Sequence, residues 1–389
     1  MSARRIAIPA VFIRGGTSKG VFFHARDLPA ERTARDALFL RVLGSPDPYQ
    51  RQLDGLGGGI SSLSKAVVIA PSSRPDADVD YTFAQVSVGS ADVDYSATCG
   101  NLSSAVGPFA VDEGLVQVAD GEALVRVFNT NTGKLYHARF RVEGGLACES
   151  GDFVIPGVAT PGAPVALDYL APGGAATGRL LPTGNVRDRL EVPGEGGFEV
   201  SLVDATSAVV FLAAADVGCT ACETPDELDA RAGLLARLDA IRRHAAVAMG
   251  MVSRPEDAPL AAPRIALVAP PAAYAAIDGR RIAAGEQDLA IRIVSMERFH
   301  KAVTLTGAMC TGVAAAIEGT LPNRFASGQG PQLRLGTPSG VLPVEARVER
   351  GGREQWHARS ATVYRTQRRL MQGEVLLPAG TGMRALAAE

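Results

Sequence analysis

The sequence predicts a mixed α/β protein of two similar domains, each with short strands around one buried helix. Its 389 residues are too many for one ordinary domain and indicate about two. Its 43 glycines and 24 prolines, with only 5% aromatic residues, are typical of many turns between short strands. Two segments, 96–101 (SATCGN) and 307–312 (GAMCTG), each place one cysteine before an Ala-, Val- and Gly-rich stretch that can begin a buried helix. Their wide separation favours a duplicated domain.

The first half of the chain is rich in predicted strands. Apolar runs, an alternating segment and a hairpin around an Asn-Thr-Gly turn predict strands at 6–14, 20–24, 66–70, 80–88, 124–129 and 137–142. Helical spacing predicts short helices at 36–43 and 102–113, the second broken at Gly107-Pro108 because proline disrupts a helix interior. The first domain is therefore expected to be a sheet with few helices.

A Gly-, Pro- and Ala-rich stretch at 156–193 predicts the crossing between domains, which we place at 1–183 and 184–389. Thr224, followed by proline and by Glu227, predicts a capping box that starts one helix running to Ala245. The other predicted elements of this half are strands at 207–215, 264–268 and 291–294, a helix at 313–317 ended by Gly319, and strands up to 377. The last strand can cross back to the first domain.

The composition excludes several classes of protein. With 47% hydrophobic and 21% charged residues the chain reads as a soluble globular protein. A net charge of −2 disfavours nucleic-acid binding, which calls for a basic patch. No apolar run approaches the ~20 residues of a membrane span, and no signal-peptide cleavage site follows the N-terminal apolar stretch. The odd count of five cysteines predicts reduced thiols and a cytoplasmic location.

Cys99 is the first candidate catalytic residue. A cysteine at a helix N-terminus lies at the positive end of the helix dipole, which favours the thiolate, and the same N–H groups favour a carboxylate ligand. Gly100 allows a close approach of backbone to a ligand, and Asn101 offers an amide donor. A small buried cysteine with no chemical role is the alternative.

Lys65 is the second candidate, at the end of a Gly- and Ser-rich loop that contains Ser61 and Ser62. Such a loop supplies N–H and hydroxyl donors for carboxylates, and partial burial would lower the lysine pKa enough for it to act as a base. A turn at 14–20 (RGGTSKG) adds Ser18 and Lys19 as candidate carboxylate ligands, although it does not match the phosphate-binding loop pattern. The alternatives are an edge lysine that extends to solvent at position 65 and a solvated turn at 14–20.

Two further regions of the sequence contain cysteines. A basic cluster at 298–301 precedes Cys310, so His300, Lys301 and Cys310 are candidate substrate-binding residues. Cys219 and Cys222 form a C-x-x-C pair with no further Cys or His ligands nearby, which disfavours a metal or redox role. No metal site is predicted.

The chain resembles the PrpF family over nearly its whole length. The resemblance rests on the following segments: RGGTSKGVFF at 14–23, GSPDP at 44–48, the loop from Asp54 to Lys65, DVDY at 78–81, CGN at 99–101, PTGN at 182–185 and APP at 269–271. It implies a fold like that of diaminopimelate epimerase, in which two α/β domains each wrap a curved, mostly antiparallel sheet around a central helix. The active site is then expected in the cleft between the domains, with catalytic roles for Lys65 and Cys99.

The resemblance implies an isomerase that acts without metal or organic cofactor on an unsaturated di- or tricarboxylate. The residues before Lys65, GGISSLSK at 58–65, are closer to the methylaconitate type than to the GGADPLTSK of oxalomesaconate enzymes. The prediction is therefore 2-methylaconitate cis-trans isomerase, within propionate catabolism by the 2-methylcitrate cycle. The alternatives are the 4-oxalomesaconate, methylitaconate and aconitate reactions.

Two other interpretations stay open from the sequence. Cys99 and Cys310 could form a facing acid/base pair, as in racemases of the fold that the resemblance implies. The chain departs here from the methylaconitate isomerases, which have no cysteine at the position of Cys310. The same loops could also hold a carboxylate without chemistry, in a binding protein. No nucleic acid or membrane partner is expected, and a homodimer is one option for the oligomeric state.

Overall fold

The computed structural model describes residues 5–96, 98–328, 330, 332–352 and 356–378. The chain forms two compact units: the first runs up to Asp168 and resumes at Tyr364, and the second is Tyr169–Val363. The chain thus leaves the first unit before the predicted boundary at 183. The reason is that the segment after Pro172 pairs with a strand of the second unit, since Gly174 N donates to Asp204 O and Asp204 N donates to Leu180 O.

The first unit is mostly strand. In chain order its elements are β1 (Arg5–Gly15), β2 (Ser18–His24), α1 (Arg32–Leu43), β3 (Lys65–Pro71), β4 (Val79–Val86), β5 (Val93–Asp94), α2 (Ser103–Asp112), β6 (Gly121–Asn129), β7 (Lys134–Glu143), β8 (Leu146–Ala147) and β9 (Pro164–Leu170). Antiparallel pairs join β1 to β2, β3 to β4 and β6 to β7, while β2 runs parallel to β3 and β4 to β6. The predicted strands of this half are confirmed.

Helix α2 is buried from Ser103 to Val111 and contacts β1, β6, β7 and β8. The predicted break at Gly107-Pro108 is wrong, because the helix continues to Asp112. A Cβ on Gly107 would lie 2.8 Å from both Ala138 Cβ and Phe140 Cε1, so the glycine lets α2 pack directly on β7. That packing outweighs the roughly 3 kcal/mol that an internal proline costs a helix.

The second unit follows the same plan. Its elements are β10 (Asp188–Val192), β11 (Gly196–Ala205), β12 (Ser207–Ala213), α3 (Pro225–Asp229), α4 (Leu234–Ala248), β13 (Arg264–Ala269), β14 (Tyr274–Ala275), β15 (Arg281–Ile282), β16 (Leu289–Ser295), β17 (Arg298–Phe299), α5 (Leu305–Ala316), α6 (Leu321–Phe325), β18 (Gln332–Thr337), β19 (Gly340–Arg350) and the start of β20 (Trp356–Pro378). Helix α5 is the buried helix here and contacts β11, β12, β18 and β19.

Two helix boundaries of the second unit differ from prediction. The capping box of Thr224 and Glu227 is present, but α3 ends at Asp229 and Gly233, at φ +77°, separates it from α4. Helix α5 begins at Leu305 with Thr304 as its cap, so Cys310 lies inside the helix. The prediction that Cys310 precedes its helix is therefore wrong.

The final strand β20 carries the chain back into the first unit, where it pairs antiparallel with β1 from Arg5–Pro378 to Gly15–Gln367. The predicted class, a mixed α/β protein with a central helix in each mostly antiparallel unit, is confirmed. None of the helices in the described ranges is both long enough and apolar enough to cross a membrane.

Candidate active site

Lys65 is positioned by the pairing of β3 with β4, which places it opposite Gln85. Its side chain is held in a nearly buried site, since the residue is only 7% exposed. Nζ donates to Gln85 Oε1 at 2.5 Å and lies 4.9 Å from the centroid of the Phe83 ring. The amine is thus fixed by one uncharged acceptor and one aromatic face.

Cys99 lies in the turn that leads into α2, which begins at Ser103 with Leu102 as its cap. Its sulfur accepts the Leu102 N–H at 3.5 Å and lies 4.0 Å from Ser18 Oγ, and its carbonyl accepts the N–H of Ser103. Cys99 is 8% exposed. The thiol therefore sits among the donors at the positive end of a buried helix.

The structure brings Lys65 and Cys99 to one cavity of about 310 Å³. Its lining includes Ser18, Ser61, Ser62, Gly100 and Asn101, all predicted from the sequence, and also Phe83, Gln85, Asp94 and Thr98. Phe83 and Gln85 stand two residues apart on β4, so their side chains point to the same face of the sheet. The register that sets Gln85 against Lys65 had no signal in the sequence.

The protonation of Lys65 is influenced by its burial and by the neighbouring Cys99. Burial lowers the pKa of the Lys65 ammonium, and the nearby Cys99 sulfur partly offsets this by raising that pKa. Burial is the larger influence, because moving an ammonium out of water disfavours its charged form. The lysine is therefore shifted toward the free amine, the form that accepts a proton.

The turn after β1 packs against Asn101 and fixes its amide. Asn101 Nδ2 donates to Thr17 Oγ1 at 3.0 Å, and Asn101 Oδ1 accepts from Arg365 Nε at 3.2 Å. Gly16 has φ +52°, and a Cβ there would lie 2.3 Å from Asn101 Oδ1. Arg14 closes this turn by donating from Nη1 to Gly16 O and Thr366 O, each at 3.0 Å, which is a structural role.

The loop that carries Ser61 and Ser62 is held by Gln52, which is almost fully buried. Gln52 Nε2 donates to Ser45 Oγ at 2.8 Å and Ser64 Oγ at 2.7 Å, and Gln52 Oε1 accepts the Gly59 N–H at 3.0 Å. Both ends of the segment with the two serines are therefore tied to one buried amide.

Lys19 does not line this cavity. Successive strand residues point to opposite faces, so Ser18 and its neighbour Lys19 diverge. Lys19 Nζ instead lies 5.5 Å from the Phe12 ring centroid.

A larger groove of about 870 Å³ runs along β6 and β7 in the same unit. Its most prominent cation, Arg139, is already paired with Asp168 at 2.6 Å and with Glu122 at 3.3 Å. The smaller cavity is the better active-site candidate because it combines a base, a thiol and a helix N-terminus.

A family model described as PrpF protein matches residues 5–378. The chain belongs to the PrpF family. It is 42% identical over 389 aligned residues to 2-methyl-aconitate isomerase from Shewanella oneidensis, which covers 96% of this chain and 98% of that protein. It is 44% identical over 377 residues to 3-methylitaconate isomerase from Eubacterium barkeri, covering 95% and 97%.

A solved structure, that of a methylitaconate-delta-isomerase, superposes on this PrpF chain with a TM-score of 0.90. The two sequences are 42% identical, and the match covers 97% of this chain and 98% of the other. The similarity is therefore one of whole chains and includes both units.

The remaining predicted site residues of this PrpF protein lie in its second unit. Cys310 is fully buried, and its sulfur donates to Val203 O at 3.5 Å; burial raises its thiol pKa strongly. His300 Nδ1 accepts the Ala302 N–H at 3.0 Å. Burial lowers the pKa of the His300 imidazole, and the charge of Arg264 lowers it by a smaller amount. Lys301 is exposed.

The other cysteines show no arrangement for chemistry. Cys148, Cys219 and Cys222 are free thiols, and burial raises the pKa of each. Cys219 accepts from Arg231 Nη1 at 3.2 Å, while Cys222 packs beside the buried Tyr274. Within the described part of the chain, no three Cys, His, Asp or Glu side chains are grouped as metal ligands.

Proposed function

We propose that this chain is a cofactor-independent isomerase that shifts an allylic proton in an unsaturated di- or tricarboxylate. The observation that carries the proposal is the shared cavity of Lys65 and Cys99, lined by hydroxyl and amide donors. Membership of a family whose similar members are named isomerases supports the same reaction class.

Lys65 is proposed as the base. Its free amine takes a proton from an allylic carbon, and the electron pair delocalises into the C=C bond and the adjacent carboxylate as a dienolate. The pKa of Lys65, lowered by burial, favours the free amine needed for this step. Cys99 is proposed to return a proton to the other allylic carbon or to stabilise the dienolate, so that no proton is gained or lost overall.

The substrate carboxylates are proposed to bind Ser18, Ser61, Ser62, Gly100 and Asn101. Before substrate arrives, Thr17 fixes the Asn101 amide, and Gln52 ties both ends of the segment that carries the two serines. Donors already aimed at the developing charge need no reorganisation in the transition state. The N-terminus of α2 adds its own partial positive charge at the same place.

The second unit offers a separate polar cluster. Arg264 Nη1 donates to Ser207 Oγ at 2.5 Å and to Thr306 Oγ1 at 3.3 Å, which places the guanidinium beside the first turn of α5. The charge of Arg264 also lowers the pKa of His300. A cation at a helix N-terminus suits a carboxylate. We therefore keep substrate binding by His300 and Lys301 as part of the proposal. Cys310 is left out, because its sulfur is committed to Val203 O.

For the substrate we propose 2-methylaconitate, because of the GGISSLSK loop and the 42% identity to a 2-methyl-aconitate isomerase. Methylitaconate is the second candidate, favoured by the 44% identity to a 3-methylitaconate isomerase and by the solved structure. We place the reaction in the cytoplasm.

Proton NMR in deuterated water tests the proposal with four acids: 2-methylaconitate, methylitaconate, 4-oxalomesaconate and aconitate. The wild type is expected to isomerise 2-methylaconitate fastest. Lys65→Ala should reduce turnover by about 100-fold or more, the contribution of general acid–base catalysis. Lys19→Ala is the matched control, since that lysine lies over Phe12, and it should retain activity. Full activity of Lys65→Ala would refute the assignment.

The same spectra distinguish an enzyme from a binding protein. A carboxylate-binding protein would shift ligand signals with no deuterium entering the ligand and no new isomer. Wild-type behaviour of that kind toward all four acids would refute the enzymatic proposal.

A further inference from the structure

Gln85 makes three hydrogen bonds that join the lysine to the serine loop. Its Oε1 accepts from Lys65 Nζ at 2.5 Å. Its Nε2 donates to two carbonyls, Ser61 O at 3.0 Å and Ser64 O at 2.9 Å. One side chain thus contacts the proposed base and the backbone of the segment that carries the proposed carboxylate ligands.

The orientation of the Gln85 amide follows from its partners. Carbonyl oxygens only accept hydrogen bonds, so the NH₂ group must face Ser61 and Ser64. The amide oxygen is then directed at Lys65. A free amine keeps N–H donors as well as its lone pair, so this bond persists in both protonation states and restricts where the lone pair points.

We propose that Gln85 is a positioning residue: it holds the Lys65 amine in a fixed geometry against the Ser61–Ser64 segment and supplies an acceptor without charge. The inference rests on the proposed function, in which Lys65 is the base. A carboxylate in the same place would form an ion pair with the ammonium and hold the proton on the lysine. An amide orients the nitrogen without that charge.

Other charged groups near Lys65 are few in the described part of the cavity. Cys99 faces it from the segment before α2, and the interaction with that sulfur raises the pKa of Lys65. Asp94, on β5, pairs with Gln85 across the strands and accepts the Ser96 N–H at 2.7 Å. Gln85 is therefore the position at which a substitution can place a charge directly against the Lys65 amine.

The test is the pH dependence of Lys65 carbamylation by cyanate, followed by mass spectrometry of the peptide that contains Lys65. Only the free amine reacts, so the pH at the midpoint of the carbamylation profile reports the protonation of Lys65. This measurement does not require the enzyme to turn over a substrate. Gln85→Glu should move the midpoint upward by about 1 to 3 pH units, which is what an adjacent opposite charge produces. Gln85→Met, which keeps the size but removes the acceptor, should move it downward.

Gln117→Glu is the matched control, because it makes the same chemical change at an exposed position away from the cavity, and it should leave the midpoint unchanged. Shifts of the midpoint in opposite directions in the two Gln85 variants support the inference. Loss of packing alone would shift the midpoint in the same direction in both variants. No movement, or movement in the same direction in both, overturns it. If Gln85→Glu does not fold, the downward movement in Gln85→Met decides.

Activity supplies the second readout. In Gln85→Glu the rising limb of kcat/KM should move upward with the carbamylation midpoint, so that activity at pH 7 falls about 10-fold or more and partly recovers at higher pH. A wild type that carbamylates as expected but isomerises none of the acids would contradict the proposed function alone. Unmoved midpoints in an active enzyme would contradict the role of Gln85 alone.

Discussion

Burial of one lysine is the residue-scale feature on which the chemistry depends. Lys65 is 7% exposed, with an amide acceptor and an aromatic ring as its close neighbours, so its charge is poorly compensated. An isolated buried charge is costly, and the group loses its proton instead. The environment that disfavours the ammonium therefore favours the free amine, which is the form of Lys65 that can act as a base.

This environment predicts the pH dependence of the reaction. Because the pKa of Lys65 is lowered, kcat/KM should decrease only as the pH falls through that lowered value. Above that pH the amine is free and kcat/KM should be high. A rate profile measured across neutral and alkaline pH should therefore show its rising limb below the ordinary lysine value of about 10.4. A limb at the ordinary value would contradict a buried base.

The two cysteines should respond differently to removal of the sulfur. Cys99→Ala should reduce turnover by about 100-fold or more if its thiol handles a proton. Cys310→Ala should leave turnover within a few-fold of the wild-type value. It should lower the free energy of unfolding by about 1 to 2 kcal/mol, because it leaves a small cavity between α5 and β11. Turnover and urea denaturation of both variants measure this; equal loss of turnover would restore the paired-cysteine mechanism.

Lys65 and Cys99 were predictable because each stands in a local sequence pattern, a Gly- and Ser-rich loop and a small-residue helix start. Gln85 was not predictable, because its partner Lys65 lies 20 residues away and is reached only through strand register. Lys19 was wrongly grouped with Ser18, because residues adjacent in a strand point to opposite faces.

At the scale of elements, the site is assembled from a turn, a loop and a helix start, each fixed by its own contacts. The turn at Gly16 lies against Asn101, and Gln52 ties both ends of the serine loop. Such contacts place the donors before substrate binds, which lowers the cost of orienting it.

Gly16→Ala tests whether the turn positions Asn101. The added Cβ would meet Asn101 Oδ1 at 2.3 Å, so Asn101 must move and KM should rise several-fold. Gly133→Ala is the control: that glycine also has positive φ, at +66°, but its Cβ would meet nothing within 4 Å. Both variants should lose about 1 to 2 kcal/mol of stability from backbone strain. An unchanged KM in Gly16→Ala would separate the turn from substrate binding.

Most strands were predictable because their apolar runs are local, whereas the unbroken course of α2 was not. Pro108 stays inside α2 because Gly107 packs on β7, a contact between residues far apart in sequence. The start of α5 has a local signal in Thr304, whose Oγ1 accepts the Gly307 N–H at 3.2 Å. The small-residue cysteine segment at 307–312 nevertheless predicted a later start.

At the scale of the whole molecule, each unit encloses one small-residue helix in mostly antiparallel strands. The cysteine segments predicted this repetition, yet they are not equivalent: Cys99 precedes α2, whereas Cys310 lies within α5. The return of β20 to β1 was predictable only as an option, because pairing of the two ends of a chain leaves no local pattern.

The most direct test of the central claim is loss of allylic deuterium from labelled substrate to ordinary water, measured together with isomerisation. If Lys65 removes the proton and Cys99 returns it on the other carbon, Cys99→Ala should exchange deuterium without forming isomer. Lys65→Ala should do neither. Undiminished exchange by Lys65→Ala would contradict the account.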